Sequence, residues 1–249
     1  MGAVMQRITP FAAEAKERCP KCGKAVTMTI EWPKVKRGVF LGIESREVPA
    51  MCDCQMREHD AREAEEQRRR SEQMEAMRYE RAFGDRALTG SFAASTANQE
   101  VMSACASYTV DFEQRRSGRQ NGLLLWGDLR SGKTFAAEAV ARELHDQGMR
   151  VVMDTAAGFV SRYESADRMG REAMRHRIAK CDLLVVDDFG ASRDTSYGRE
   201  VVFSLIDDRV SANGPMVVTT NLTPEQMTTC PDSRAAMRIM ERCLPIRVG

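Results

Sequence analysis

The 249-residue sequence has no apolar run approaching the roughly 18 residues that a membrane-spanning helix needs. Its start, Met1 to Phe11, lacks the apolar stretch of a secretory signal, and Gly2 is followed by Gln6 where a myristoylation signal requires Ser or Thr. An excess of one charge sign is missing as well. The 37 Lys and Arg are opposed by 36 Asp and Glu, net +1, so any surface for nucleic acid has to be local. These absences argue against a membrane partner and predict a cytoplasmic chain. The length suits one α/β core with a smaller appendage.

Between Gln55 and Arg86 there is no Leu, Ile or Val, while eight Arg face nine Asp or Glu. Glu58/Arg62, Glu65/Arg69 and Glu66/Arg70 stand at i,i+4 with the acid first, the favourable order on a helix. This predicts a long solvated helix, read either as a linker or as a helix that docks on a partner protein.

The eight cysteines fall into two classes. Cys105, Cys181, Cys230 and Cys243 are scattered and read as packing residues. Cys19 and Cys22 share one tight turn with Gly23 behind it, and Cys52 and Cys54 follow after strand-like and turn-like pieces (Val26 to Trp32, Gly38 to Ile43). Four thiolates suit a closed, tetrahedral, structural zinc site. The second pair is C-x-C rather than the commoner C-x-x-C, and His59 is a candidate substitute ligand. Four free thiols are the alternative. A piece of about 50 residues has too little apolar surface to fold unaided, which favours the metal.

The central motif is a short apolar run, Leu123 to Trp126, then a loop, then an Ala-rich helix from Phe135 to about Gln147. The loop, Gly127, Asp128, Leu129, Arg130, Ser131, Gly132, Lys133 and Thr134, fits the P-loop pattern G-x-x-x-x-G-K-[ST]. Successive backbone N–H groups at a helix N-terminus make a concave anion site that side chains would block, hence the glycines. Lys133 supplies a mobile point charge for the β- and γ-phosphates of ATP, and the Thr134 hydroxyl is placed to ligate Mg²⁺.

Further strands are predicted at Arg150–Asp154, Asp182–Asp187, Pro215–Thr220 and Leu244–Val248, with helices between them, including Ser196–Val210. That alternation implies a parallel sheet covered on both faces, with sites at the carboxyl ends of the strands. The acidic strand ends in Asp187 and Asp188 and is expected beside the P-loop strand. There Asp187 would hold magnesium through water, and Asp188 would orient or deprotonate the attacking water. Asn221 ends another strand, where it is placed to contact the γ-phosphate or that water; Thr223 and Pro224 read as a helix start behind it. Arg238 and Arg242 share a face of the last helix, Ser233 to about Cys243, with no local acids obviously arranged to neutralise both, although Glu241 and Asp232 are near. An arginine there could serve a neighbouring subunit's γ-phosphate. Before the core, Leu88 to Arg119 is predicted as short helices burying Phe92, Val101, Cys105, Tyr108, Val110 and Phe112. Arg115, Arg116 and Arg119 form a small basic cluster.

Gly127–Thr134, Leu183–Asp188, Thr219–Asn221 and Arg238–Arg242 together resemble the AAA+ core of bacterial and phage replicative-helicase loaders, the DnaC-like group related to IstB-type ATPases. The cysteine pairs and charged helix are similar to the front end of several DnaC-like proteins. The resemblance implies an α/β P-loop NTPase core with an N-terminal zinc module, and an ATPase that grips a replicative helicase, binds single-stranded DNA and self-associates. It assigns Lys133 and Thr134 to triphosphate and magnesium, Asp187 and Asp188 to the acidic pair, Asn221 to the first sensor and Arg242 to a finger acting in trans, with Arg238 beside it. The implied division is a zinc module at 1–54, a helical linker at 55–86 and the AAA+ domain at 87–249. Two departures stand out. Arg130 occupies a position where many members have glycine, and the second sensor arginine is unassigned because the sequence ends at Gly249, just after the final strand. An IstB-type transposition helper, and a nucleotide-binding interaction protein with little hydrolysis, are the other readings.

Overall fold

A computed structural model describes residues 18–36, 39–93, 98–191 and 195–249. The readings made of Met1 to Phe11, Gly2, Gln6 and Gly38 lie outside them. The chain divides into two compact units, residues 1–75 and 76–249.

In the first unit, β1 (Thr27–Lys36) and β2 (Val39–Pro49) form an antiparallel hairpin flanked by the two cysteine pairs. Helix α1 (Asp53–Phe83) follows, and the division between units falls within it. Glu65 and Arg69 pair at 2.7 Å, and Glu66 and Arg70 at 3.9 Å, both exposed, so they contribute only tenths of a kcal/mol to the helix. Among the described side chains of this unit, Cys19 and Cys52 are the buried ones. Among its described side chains the hairpin therefore has almost no apolar core of its own.

The second unit is built on a five-stranded parallel sheet: β3 (Gly122–Trp126), β4 (Val151–Thr155), β5 (Leu183–Phe189), β6 (Met216–Thr220) and β7 (Cys243–Arg247). Its order is β4-β5-β6-β3-β7. Each strand falls within about a residue or two of its expected position. The order corrects one expectation: the acidic strand β5 does not adjoin the P-loop strand β3, because β6 lies between them. Hydrophobic runs identify strands but carry no information about which strands are neighbours.

Side chains alternate between two cores. Leu123, Leu125, Val185 and Val217 point to one face, covered by the end of α1, by α2 (Gln99–Val110), by Phe112 of the short α3 (Phe112–Arg115) and by α4 (Lys133–Asp146). Leu124, Val186, Met216 and Val218 point to the other, covered by α5 (Ala156–Ser165), α6 (Arg168–Lys180), α7 (Ser196–Ser211) and α9 (Ser233–Arg242). Val101, Cys105, Tyr108 and Phe112 are buried as expected and Phe92 partly so, but Val110, at the end of α2, is 81% exposed. The helix turns that position outward just before Asp111 breaks it.

Arg209, 1% exposed, ties the starts of β5 and β6 together. Its guanidinium donates to the carbonyls of Cys181 (2.7 Å), Asp182 (2.8 Å) and Pro215 (2.8 Å). Two members of the basic cluster are tied into the fold: Arg115 pairs with Asp111, and Arg116 with Glu113 and Asp182. Asp182 also accepts from the backbone and guanidinium of Arg150 at 2.9–3.1 Å. Burial pushes its carboxyl up, yet Arg150 and Arg116 outweigh burial and hold it down at about 2, against an ordinary 3.8. That difference is worth about 2 kcal/mol, present above pH 4 and lost as pH falls through 4 towards 2. Asp182→Asn is therefore expected to unfold more easily at neutral pH by about that amount, with denaturation midpoints of the two proteins converging near pH 2. A constant gap across that range would contradict the pairing.

Candidate nucleotide site

The loop after β3 is shaped by its glycines. Gly127 has φ +149°, and a Cβ there would lie 2.2 Å from the Val248 carbonyl oxygen. The final segment passes so close because the Val248 N–H donates to the Trp126 carbonyl. Gly132 has φ +97°, with open space where its side chain would be. It caps α4 without any side-chain hydrogen bond, so no cap side chain claims the first-turn N–H groups. Arg130 holds φ +62°, a left-handed conformation that glycine adopts without strain, which explains why a glycine would suit this position. The buried Lys133 ammonium folds back on the loop, donating to the carbonyls of Gly127 (3.0 Å) and Asp128 (2.5 Å). Burial pushes it below its usual value, while Asp188, Asp128 and Asp187 pull it back.

The buried Asp187 sits at the carboxyl end of β5 and faces this loop. Its Oδ1 accepts from the hydroxyls of Thr134 (2.9 Å) and Thr219 (2.7 Å). The Thr219 hydroxyl in turn accepts from the Asp188 N–H at 2.8 Å, so one side chain on the intervening strand β6 sets both acids. Asp188 is exposed and left-handed, φ +57°, and a single weak contact at 3.4 Å joins it to the Asn221 amide. Helix α8 (Pro224–Thr229) starts as its sequence suggests, with a Thr223/Gln226 capping box and Pro224 in the first turn. Lys133, Thr134, Asp187, Asp188 and Asn221 thus gather at one end of the sheet. The oxygen-rich donor set of Thr134 and Asp187 fits Mg²⁺, a hard cation held by few protein ligands beside substrate phosphates.

Arg86 was not identified from the sequence. Its guanidinium lies 3.4 Å from Asp187 Oδ2 and 3.7 Å from Asp154 Oδ1, both carboxylates being buried. The segment leading from it is fixed to α4. Buried Glu138 accepts from the Thr89 and Gly90 N–H groups at 2.8 and 2.9 Å, and Arg142 donates to the Leu88 carbonyl. Asp154 is held in turn by Arg162 at 2.6 Å.

Arg242 lies elsewhere. It precedes β7, whose first residue Cys243 pairs with Gly122 at the start of β3, the end away from the loop. Its guanidinium bonds the Asn213 side chain. Arg238 is paired from two sides, with Asp207 of α7 at 3.1 Å and with Glu241 of its own helix at 3.6 Å.

In the first unit the four sulfurs of Cys19, Cys22, Cys52 and Cys54 lie within 4.8 Å of one another, with Cys54 at 3.3, 3.4 and 2.9 Å from Cys19, Cys22 and Cys52. A tetrahedron of Zn–S bonds has edges of roughly 3.8 Å, so the cluster fits the ion. His59 is outside it, near Asp60 and Glu63.

A family model described as IstB-like ATP binding protein matches residues 51–244. Among curated proteins, the replicative helicase loader DnaC of Escherichia coli (strain K12) is 26% identical over 131 residues, covering 51% of this chain and 52% of that protein. The replicative helicase loader DnaI of Bacillus subtilis (strain 168) is 27% identical over 161 residues, covering 58% and 52%. The chain thus spans about half the length of these curated relatives. Crystal structures of DnaI (TM-score 0.56, 20% identity, 65% of this chain and 92% of that one) and of the DnaC helicase loader (TM-score 0.55, 18% identity, 64% and 97%) share the fold. No helix among the described residues is long and apolar enough to cross a membrane. With a P-loop AAA+ fold like that of DnaI and DnaC, and a family match over most of its length, the chain belongs to the IstB-like ATP-binding proteins.

Proposed function

We propose that the chain is a cytoplasmic ATPase that loads a replicative DNA helicase onto single-stranded DNA and works as a self-associated assembly. The observation that carries this reading is the convergence of Lys133, Thr134, Asp187, Asp188 and Asn221 at the carboxyl ends of β3, β5 and β6 in a relative of helicase loaders. Lys133 and the loop N–H groups hold the triphosphate of ATP. Thr134 and Asp187 would hold Mg²⁺, which neutralises charge on the phosphates. Asp188 orients or deprotonates the attacking water, and Asn221 contacts the γ-phosphate or that water. Arg242 acts on the nucleotide of a neighbouring subunit; its separation from the chain's own loop supports that role. Residues 87–249 form the ATPase domain, 55–86 a helical linker and 1–54 a zinc-binding module that docks the helicase. Exposed Trp32, Leu41 and Ile43 on the hairpin support docking there.

The direct test is retention of the purified replicative helicase of the source organism by the tagged chain, with and without ATP. ATP-dependent retention is expected, and no retention in either condition would contradict the reading. The family match favours one second reading, an IstB-type helper that delivers a transposase on duplex DNA. Retention of a neighbouring transposase instead of the helicase would select it.

Zinc bound by Cys19, Cys22, Cys52 and Cys54 would supply the cohesion that the described side chains of the hairpin do not. Freshly purified protein is expected to carry about one zinc per chain by elemental analysis. Cys22→Ala should lose both the metal and the protease resistance of the hairpin; a metal-free protein with an intact hairpin would refute this. Arg86 competes with Mg²⁺ for Asp187, so Arg86→Ala should lower several-fold the magnesium concentration needed for half-maximal binding of a fluorescent ATP analogue. An unchanged or higher requirement would show that Arg86 does not oppose the ion.

A further inference from the structure

A second concave site lies at the other end of the sheet. It is a cleft of about 500 Å³ beside the first residues of β4, Val151 and Val152. Basic side chains surround it: Arg78 and Arg81 from α1, Arg150 before β4, and His176, Arg177 and Lys180 from the end of α6. No carboxylate lines it among the described residues, in a chain whose overall charge is +1.

Part of this charge has a structural use. The last turns of α1, α4 and α6 meet here, carrying Arg81, His145, and Arg177 with Lys180. Each helix C-terminus presents about half a negative charge, roughly 1.5 in total. Arg150 is already paired with Asp182. Arg78 donates to the His145 carbonyl at 2.8 Å, which leaves its charge uncancelled. The four fixed charges of Arg78, Arg81, Arg177 and Lys180 therefore exceed what the helix ends neutralise by about 2.5, before either histidine is counted.

His145 supplies an independent observation. It is 5% exposed, lines the cleft and packs against the rings of Tyr79 and Phe83, with its Nδ1 3.3 Å from Asp146. Its buried Nε2 has no hydrogen-bond partner. That buried ring nitrogen in the cleft lining is a polar atom still open to a bond from a ligand or a water.

We infer that this cleft seats the phosphate backbone of single-stranded DNA, on the side of the sheet away from the nucleotide loop. Closely spaced anionic charges match the surplus, arginine forks suit phosphate, and the apolar floor of Met149, Val151 and Val152 leaves room for a sugar or base. The inference rests on the DNA-binding reading proposed above and gives it a location.

The test is fluorescence anisotropy of a labelled oligo-dT strand with the full chain, comparing wild type with Arg177→Glu/Lys180→Glu. Both side chains are exposed, and retained binding of a fluorescent ATP analogue verifies the fold. The double variant should bind at least tenfold more weakly. The slope of log K against log salt should fall by about 1.4, since each single-strand phosphate contact contributes about 0.7. Arg68→Glu/Arg70→Glu on the exposed face of α1 makes the same change in net charge and should have little effect. Wild-type binding with no loss in the cleft variant, or an equal loss in the control, overturns the cleft alone. Displacement of the strand by polyglutamate of equal charge as readily as by unlabelled DNA overturns phosphate as its ligand. A wild-type protein that binds no DNA overturns both the cleft and the DNA-binding reading.

Discussion

Arg242→Ala is expected to bind ATP with nearly unchanged affinity as an isolated subunit and to hydrolyse it 10³–10⁵-fold more slowly in the assembly, the range such arginines supply when they complete transition-state charge (about 4–7 kcal/mol). The split follows from position. Arg242 ends α9 just before β7, away from the chain's own phosphate loop, so its loss leaves that loop untouched. A purely local role, through its bond to the Asn213 side chain on this partly exposed surface, is worth about 1 kcal/mol and would leave turnover almost intact. Mixing separates the two roles. Lys133→Ala subunits keep Arg242 and Arg242→Ala subunits keep the loop, so a blend should regain part of the activity that each lacks alone. Co-assembled, folded variants that recover nothing would remove Arg242 from catalysis.

Lys133→Ala should abolish nucleotide binding measurable by fluorescent-analogue titration, whereas Asp188→Asn should bind ATP normally and turn it over at least 10²-fold more slowly. The contrast rests on what each group touches. Lys133 is buried and closes the loop on itself through the Gly127 and Asp128 carbonyls, so its removal takes away both the charge for the phosphates and the bonds that shape the loop. Asp188 is exposed and held in the left-handed region, where its carboxylate makes only a weak 3.4 Å contact with the Asn221 amide and stays open to water. Equal loss of binding in the two variants would mean that the acidic pair has been assigned the wrong way round.

Much of this site is local in sequence and therefore legible there. A loop whose residue types are dictated by phosphate, a run of four apolar residues ending in two acids, and the Thr223–Pro224 helix start each carry their reason within a few positions. What the sequence concealed is non-local. Hydrophobic runs mark β5 and β6 but not their order, so Thr219 between the P-loop strand and the acids was unforeseen as the hydroxyl that sets Asp187 and Asp188. Arg86 meets Asp187 across 101 positions and sits at the end of a run whose other charges are solvated. Asp207 reaches Arg238 from another helix, and Arg209 is buried on carbonyls, which no charge pattern signals. Val110 was misread because apolar character alone does not say which side of a final helical turn faces the core.

The central claim is that ATP held by this loop drives a helicase onto DNA. It is tested most directly by incubating the replicative helicase of the source organism with closed circular single-stranded DNA, which has no end for a ring to thread, and counting the helicase recovered on the circles. Recovery should require both the chain and ATP and should be lost with Lys133→Ala. Helicase recovered equally without the chain, or with Lys133→Ala in its place, would contradict the account.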